Sequence, residues 1–264
     1  MHRFFEDSSS LLDGKIHLQD KNIKHFKVLR ISEDEKFEIV IDDLVYIVKA
    51  ILIDSKEVIC EIVSKNKCVN ESNIKINLYQ GLPKSDKLEL IIQKCTELGV
   101  NSIIPFNSSR TIVKWSDKKE EKKLRRYMEI AEAASKQSKR CIIPEIKESI
   151  SFEKMCEELK DKTAIVAYEN RGKSLKEVLN ELKDDEINII IGAEGGFSEE
   201  EINMLENINS YVINLGNRIL RTETAAISLV SMIQYDIGDM NKWEDRTAKT
   251  GFLIKICNIF HHII

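Results

Sequence analysis

The feature that most restricts the fold is a change of hydrophobic rhythm near residue 73. Downstream of it, short β-branched runs alternate with stretches whose apolar residues recur at helical spacing. That alternation calls for layered α/β structure around a largely parallel sheet. IKINLYQG (74–81) reads as its first strand. Asp86 is placed to cap the next helix, with Glu89 three residues on, Leu88, Ile91, Ile92, Cys95 and Leu98 facing inward and Gly99 as the stop. NSIIPF follows as a strand, then a long charged helix over 117–139 with Leu124, Met128, Ala131 and Ala134 as its inner stripe. Further strands are expected at 163–169, 187–191 and 211–215. Helices are expected at 174–183, 199–208 and 224–236, the last ending at Gly238.

Upstream the rhythm is that of strands. Phe37, Ile39 and Ile41 alternate with polar residues, Asp42-Asp43 offers a turn, and VYIVKAILI and EVICEIV follow. Closely spaced short strands predict a small barrel or sandwich over 1–70. The polar stretch SKNKCVNESN (64–73) reads as a linker into the α/β unit, 74–240, and 241–264 forms a C-terminal extension with no assigned role.

With 42% hydrophobic and 32% charged residues the chain can bury a core, which excludes disorder. No apolar run approaches the ~18 residues of a membrane span, and MHRFFEDSSS carries no apolar signal core, so a soluble cytoplasmic protein is expected. Six cysteines (60, 68, 95, 141, 156, 257) form no C-x-x-C pair and are expected to be reduced thiols, mostly in the core. All five histidines lie outside the α/β unit, at 2, 17, 25, 261 and 262, so an imidazole base or a histidine metal site is excluded there and no metal is expected. The net charge of -4 hides an asymmetry: 84–140 holds 14 Lys/Arg against 8 Asp/Glu, and 145–210 holds 8 against 17. The basic stretch is either a polyanion-binding face or a solvated, ion-paired helix.

Three of only ten glycines fall in Gly192-Ala193-Glu194-Gly195-Gly196, between the buried run INIII and a helix opened by the capping-box pair Ser198 and Glu201. Glycines there let backbone approach a ligand, and α/β sheets bind ligands beyond strand carboxyl ends. The spacing is not that of a P-loop, and it is not G-x-G-x-x-G. Glu194 would repel a phosphate, so a neutral or cationic ligand suits the loop better, a sulfonium among them. A second strand–glycine–helix turn follows at Leu215-Gly216-Asn217-Arg218-Ile219-Leu220-Arg221, with Thr222 or Thr224 as helix cap. Arg218 and Arg221 oppose the helix dipole there, which favours a partner for them; the alternative is an ion pair with Glu223 or Glu194. Together the two turns can wall one pocket.

IIIGAEGGFSEEEI with LGNRILRTETAAI resembles the paired cofactor loops of the SPOUT methyltransferases, and within them the 16S rRNA (uracil(1498)-N(3))-methyltransferase family. Collinear support comes from HRFF at the N-terminus, HFKVLRI (25–31), LYQGLPKSDKLELIIQKCTELGV (78–100), IIPFNSSRTIVKW (103–115) and AASKQSKRCIIPEI (133–146). The resemblance implies a PUA-like β-barrel followed by an α/β domain with a trefoil knot, a homodimer, and 16S rRNA or the small ribosomal subunit as partner. It implies S-adenosylmethionine bound by Tyr168, Glu169, Ile191, Gly192, Glu194, Gly195, Gly196, Leu215, Gly216, Ile219, Leu220, Arg221, Thr222 and Ala225. Where the family has G-P-E-G-G and L-G-P-R this chain has Ala193 and Asn217, which leaves both loops freer without removing a polar contact.

Uracil N3 is nucleophilic only after losing its proton, and the anion spreads onto O2 and O4. Arg221 is the first candidate to face those oxygens and Arg140 the second, with Glu194 or Glu223 to take the proton or orient an arginine. Arg3, Arg30, Lys84, Lys87 and Arg110, with Arg140, are expected to hold RNA. Besides this reading stand an enzyme of the same fold with another RNA target, and a non-catalytic RNA-binding module.

Overall fold

The computed structural model describes residues 1–111 and 117–241. The apolar end, GFLIKICNIFHHII, and residues 112–116 of the IIPFNSSRTIVKW segment lie outside the described residues.

The N-terminal sheet is built from β1 (Arg3–Glu6), β2 (Leu11–Leu12), β3 (Lys15–His17), β4 (Lys36–Ile41), β5 (Leu44–Ile53) and β6 (Val58–Lys67), in the order β1-β4-β5-β6-β3-β2. The Asp42-Asp43 turn forms as expected: Ile41 faces Leu44, and Asp42 takes the left-handed conformation (φ 53°) that such a tight turn needs. The alternation at Phe37, Ile39 and Ile41 puts all three inside, where they meet Phe4 and Phe26, the latter on helix α1 (Asp20–Leu29). This helix, whose sequence lacks a side-chain cap, was not legible beforehand; Gln19 precedes it without a capping bond. SKNK (64–67) is not linker. It continues β6, pairing with β5 as far as Lys67 opposite Leu44. Backbone pairing needs no apolar side chains, and these four residues are exposed.

The second sheet holds β7 (Lys75–Gly81), β8 (Ser102–Asn107), β9 (Glu145–Ile146), β10 (Ile150–Ser151), β11 (Ala164–Ala167), β12 (Lys173–Ser174), β13 (Glu186–Ile191) and β14 (Tyr211–Asn214). Its order is β10-β8-β7-β13-β11-β14-β12 with β9 beside β8, and every pairing in it is parallel. Both faces are covered, as a parallel sheet requires. On one side Ile76, Leu78, Ile103, Ile165, Ile187 and Ile189 meet α2 (Lys87–Glu97), α3 (Asp117–Ser138), α5 (Leu175–Glu181) and α7 (Thr222–Asp236). On the other, Tyr79, Ile104, Phe106, Val166 and Ile190 meet α4 (Phe152–Leu159) and α6 (Glu199–Asn207).

Three local expectations change. Asp86 precedes α2 but makes no side-chain cap, because its backbone (φ -91°, ψ 12°) is not extended. Met128 is 53% exposed and Tyr127, 4% exposed, takes its place inside α3 between Leu124 and Ala131; 127 and 128 fit the helical stripe equally, and the ring fills the space. Cys68 and Cys141 are not reduced thiols but a disulfide, their Cα atoms 6.3 Å apart across 73 residues of sequence. Folding brings the end of β6 to the segment after α3. Cys60 and Cys95 are buried and free, and burial pushes the Cys60 thiol up to about 12.

The disulfide sits at a polar seam between the two sheets. Arg3 (7% exposed) pairs with Glu38 at 2.8 Å and donates to the Lys139 and Arg140 carbonyls. Arg140 (4% exposed) pairs with Glu71 at 2.8 Å and donates to the carbonyls of Thr96 and Val100. Their guanidinium groups are committed to the protein, where the sequence reading places Arg3 in the RNA-holding set and Arg140 in both the catalytic and RNA-holding sets.

Candidate active site

The site lies where β7, β11, β13 and β14 end, at the carboxyl edge of the sheet. The loop after β13 runs from Gly192 into α6, whose start carries the expected capping box: the Ser198 hydroxyl accepts from the Glu201 amide, and the Glu201 carboxylate accepts from the Ser198 amide. Gly196 sits in the left-handed region (φ 64°), and a Cβ there would lie 3.1 Å from Glu169 Oε1. At the end of β7, a Cβ on Gly81 would lie 2.5 Å from the Ala193 amide nitrogen, so only glycine admits this loop so close.

The second loop meets the first through a hydroxyl. Thr222 does not cap α7; Arg221 occupies that position and makes no capping bond. Instead Thr222 Oγ1 donates to the Gly192 carbonyl at 2.6 Å and accepts from Gln80 Nε2 at 2.9 Å, while the same amide donates to the Gly81 carbonyl. The ends of β7 and β13 and the start of α7 are joined by one buried chain of hydrogen bonds. Asn214, at the end of β14, makes a separate link, donating to the Glu169 carbonyl at 2.9 Å and accepting from the Gly216 amide at 2.8 Å.

Between the loops opens a cleft of about 360 Å³. Of the expected cofactor residues, Glu169, Ile191, Gly192, Glu194, Gly196, Ile219, Leu220, Arg221, Thr222 and Ala225 line it. Four lie off the wall. Tyr168 is buried with its hydroxyl on Glu199 at 2.8 Å, Leu215 packs on the core, Gly216 turns the second loop, and Gly195 faces a smaller hollow of about 190 Å³ beside Lys84 and Arg110. Arg110 donates to the Gly195 carbonyl at 3.0 Å. Arg30 is exposed at the end of α1, outside the cleft.

Glu194 is paired, and its partner is a lysine. Lys87, read from sequence as a phosphate contact, lines the cleft with its Nζ 2.7 Å from Glu194 Oε1 and 3.6 Å from Glu223 Oε2. Burial raises the Glu194 carboxyl, but hydrogen bonds from Lys87 and from the amides of Glu194 and Lys84 outweigh it and hold the group below the usual carboxylate range. The ion pairs weighed for Arg218 and Arg221 are therefore made by Lys87, and among the described residues neither arginine side chain has a hydrogen bond or ion pair. Gln80 and Asn214 went unseen in the sequence. The signal was there for Gln80, since a glutamine ending an apolar strand must find buried partners.

Residues 70–234 match the RNA methyltransferase domain. The chain belongs to that RNA methyltransferase family. It is similar to the ribosomal RNA small subunit methyltransferase E of Bacillus subtilis, 37% identical over 190 residues that cover 69% of this chain and 74% of that protein. The protein of that name from Mesomycoplasma hyopneumoniae is 34% identical over 234 residues, 88% of this chain and 98% of its own. The crystal structure of the Neisseria gonorrhoeae enzyme of that name, bound to S-adenosyl methionine, superposes with a TM-score of 0.81 at 27% identity, covering 91% of this chain and 99% of that one. In this RNA methyltransferase, no helix among the described residues is long and apolar enough to cross a membrane.

Proposed function

We propose that the protein transfers a methyl group from S-adenosylmethionine to N3 of uracil 1498 in 16S rRNA of the small ribosomal subunit. The observation that carries this reading is the Thr222–Gly192 hydrogen bond, which closes two glycine turns around one cleft. The residues present fit the ligand. The backbone at Gly192 and Gly196 leaves room that side chains would fill, Ile191, Phe197, Leu220 and Ala225 give an apolar lining for the base, and the Glu169 carboxylate suits ribose hydroxyls. Glu169 and Glu194 on the wall with Arg221 give the cleft groups of both signs, which suits a ligand carrying charges of both signs. When bound, S-adenosylmethionine supplies an electrophilic methyl carbon whose bond to sulfur breaks as the bond to N3 forms.

The chain's part is positioning and electrostatics. Arg221, exposed at the cleft wall, faces the incoming base, and Lys84, Arg110 and Arg30 remain the RNA-facing cations. The N-terminal sheet serves as a PUA-like RNA-docking barrel (1–70). The α/β unit (74–240) is a SPOUT domain whose two loops belong to a trefoil knot, working as a cytoplasmic homodimer. Ile219, 88% exposed, with Met232, Tyr235 and Met240 of the second loop and the α7 side, supports such a partner face. The test is mass spectrometry of 16S rRNA from cells with and without the protein: one methyl should be missing from uracil 1498 without it. Arg221→Ala should abolish transfer and leave the sedimenting species unchanged; an unaltered rRNA mass in the deletion strain refutes the assignment.

A further inference from the structure

We infer that Lys87, rather than either glutamate of the cleft, is the catalytic group that makes the acceptor base reactive, its ammonium holding the deprotonated uracil by a ring oxygen. The inference rests on the methyltransferase reading and concerns the same cleft.

Lys87 is the first residue of α2, where the helix dipole disfavours a cation. Two carboxylates offset this, one from the first loop and one from the first turn of α7: Glu194 at 2.7 Å and Glu223 at 3.6 Å. An ammonium has three donors. One is given to Glu194; Glu223 Oε2, at 3.6 Å, attracts the charge without a hydrogen bond, and the side chain lines the cleft with donors to spare. The cation is thus fixed before any ligand arrives. Arg221 and Arg218 have no such anchors, and a preorganised charge stabilises a developing anion better than one that must be ordered first.

The step itself is a proton loss. The N3–H bond breaks, its electron pair stays on the ring and spreads to O2 and O4, and the proton passes to water at the open cleft. Glu194 is a poor acceptor for that proton, because Lys87 and two backbone amides already stabilise it as the carboxylate. The Glu194 hydrogen bond, opposed by burial, also keeps the Lys87 ammonium above its ordinary range. The charged groups around Lys87 are Glu194 after β13, Glu223 on α7, Arg221 before it, Glu169 after β11, and Lys84 and Asp86 on its own approach.

A mere staple between loops would also use this lysine, so the test separates the two roles. Full-length wild type, Lys87→Met and Lys87→Arg are compared on small subunits from a strain lacking the modification, grown with or without 5-fluorouracil, whose electron-withdrawing fluorine makes N3 more acidic. Lys87→Met should lose about 10²–10³-fold in kcat, as does removal of one oxyanion donor elsewhere, with S-adenosylmethionine Kd by calorimetry within threefold of wild type. Its rate should keep climbing at pH values where wild type has levelled, and Lys87→Arg should recover much of the loss. Without cofactor, wild type should bind fluorouracil subunits more tightly than ordinary ones as pH rises, and Lys87→Met should not. Retained kcat, weakened cofactor binding alone, or an unchanged fluorouracil preference each overturn the inference. A wild-type chain that binds no S-adenosylmethionine overturns the parent reading instead.

Discussion

Replacing Thr222 by valine keeps the volume and branching of the side chain and removes one hydroxyl. Among the described residues that hydroxyl alone links the Gly192 carbonyl to the Gln80 amide, and the residue is 6% exposed. Two buried polar groups therefore lose a partner, at about 1–3 kcal/mol for each group left unsatisfied. Gln80 keeps its bond to the Gly81 carbonyl, which puts the sum at about 2–4 kcal/mol. Rescue from within is blocked, since Gln80 Oε1 is itself buried without a partner. Helix capping does not enter, because Arg221 holds that position without a side-chain bond. For a chain of this size each kcal/mol moves the melting midpoint by about 2–4 °C. Thr222→Val should then melt about 4–16 °C below wild type. Thr222→Ser, which keeps the hydroxyl and loses a methyl, should cost only about 1 kcal/mol. Because the bond ties both loops of the cleft, Thr222→Val should also weaken S-adenosylmethionine by about tenfold or more, roughly 1.4 kcal/mol. Circular dichroism melts and calorimetric titrations of the two variants decide it. Equal melting points and equal affinities for valine and serine would show that the hydroxyl does not join the loops.

Arg140→Met should destabilise the protein by about 3–5 kcal/mol, the usual result of stripping a partner from a buried ion pair, while leaving turnover per folded molecule unchanged. Urea titration with activity normalised to the folded fraction checks this, and selective loss of turnover would return Arg140 to the active site. Glu38 carries a pH signature. Burial raises its carboxyl, but bonds from Lys139 and Arg3 outweigh that and lower it from the ordinary value of 4.5. A depressed native value means that its stabilisation is complete above about pH 4.5 and fades as pH falls below it. Glu38→Gln should therefore lower stability at pH 7 and flatten its decline into acid; parallel acid limbs in the two proteins would contradict the role given to the seam.

Some of the site was legible because its causes are local. Ser198 and Glu201 are three residues apart, and the bonds they exchange depend on nothing beyond that turn. INIII followed by glycines points to a cleft at the end of β13 for the same kind of reason, and one opens there. Lys87 was assigned to phosphate because its partners, Glu194 and Glu223, lie 107 and 136 positions away, and charge sequence says nothing of which loops meet. Arg140 and Arg3 show the same limit: a basic residue in a basic segment reads as solvent-facing, and folding buries both. The disulfide failed the spacing rules because those rules describe neighbouring cysteines.

The amino-acid order alone settled the periodicities, and with them a strand-rich first part, a parallel-sheet second part and two glycine turns at strand ends. Each of these follows from interactions within a few residues, which the chain carries wherever it goes. The tertiary structure decided which of those turns touch, that a threonine expected to cap a helix instead bonds a carbonyl 30 residues upstream, and that one lysine answers two glutamates. Those outcomes depend on the sheet order, which sets β13 beside β7 and β11 and brings distant residues within bonding distance.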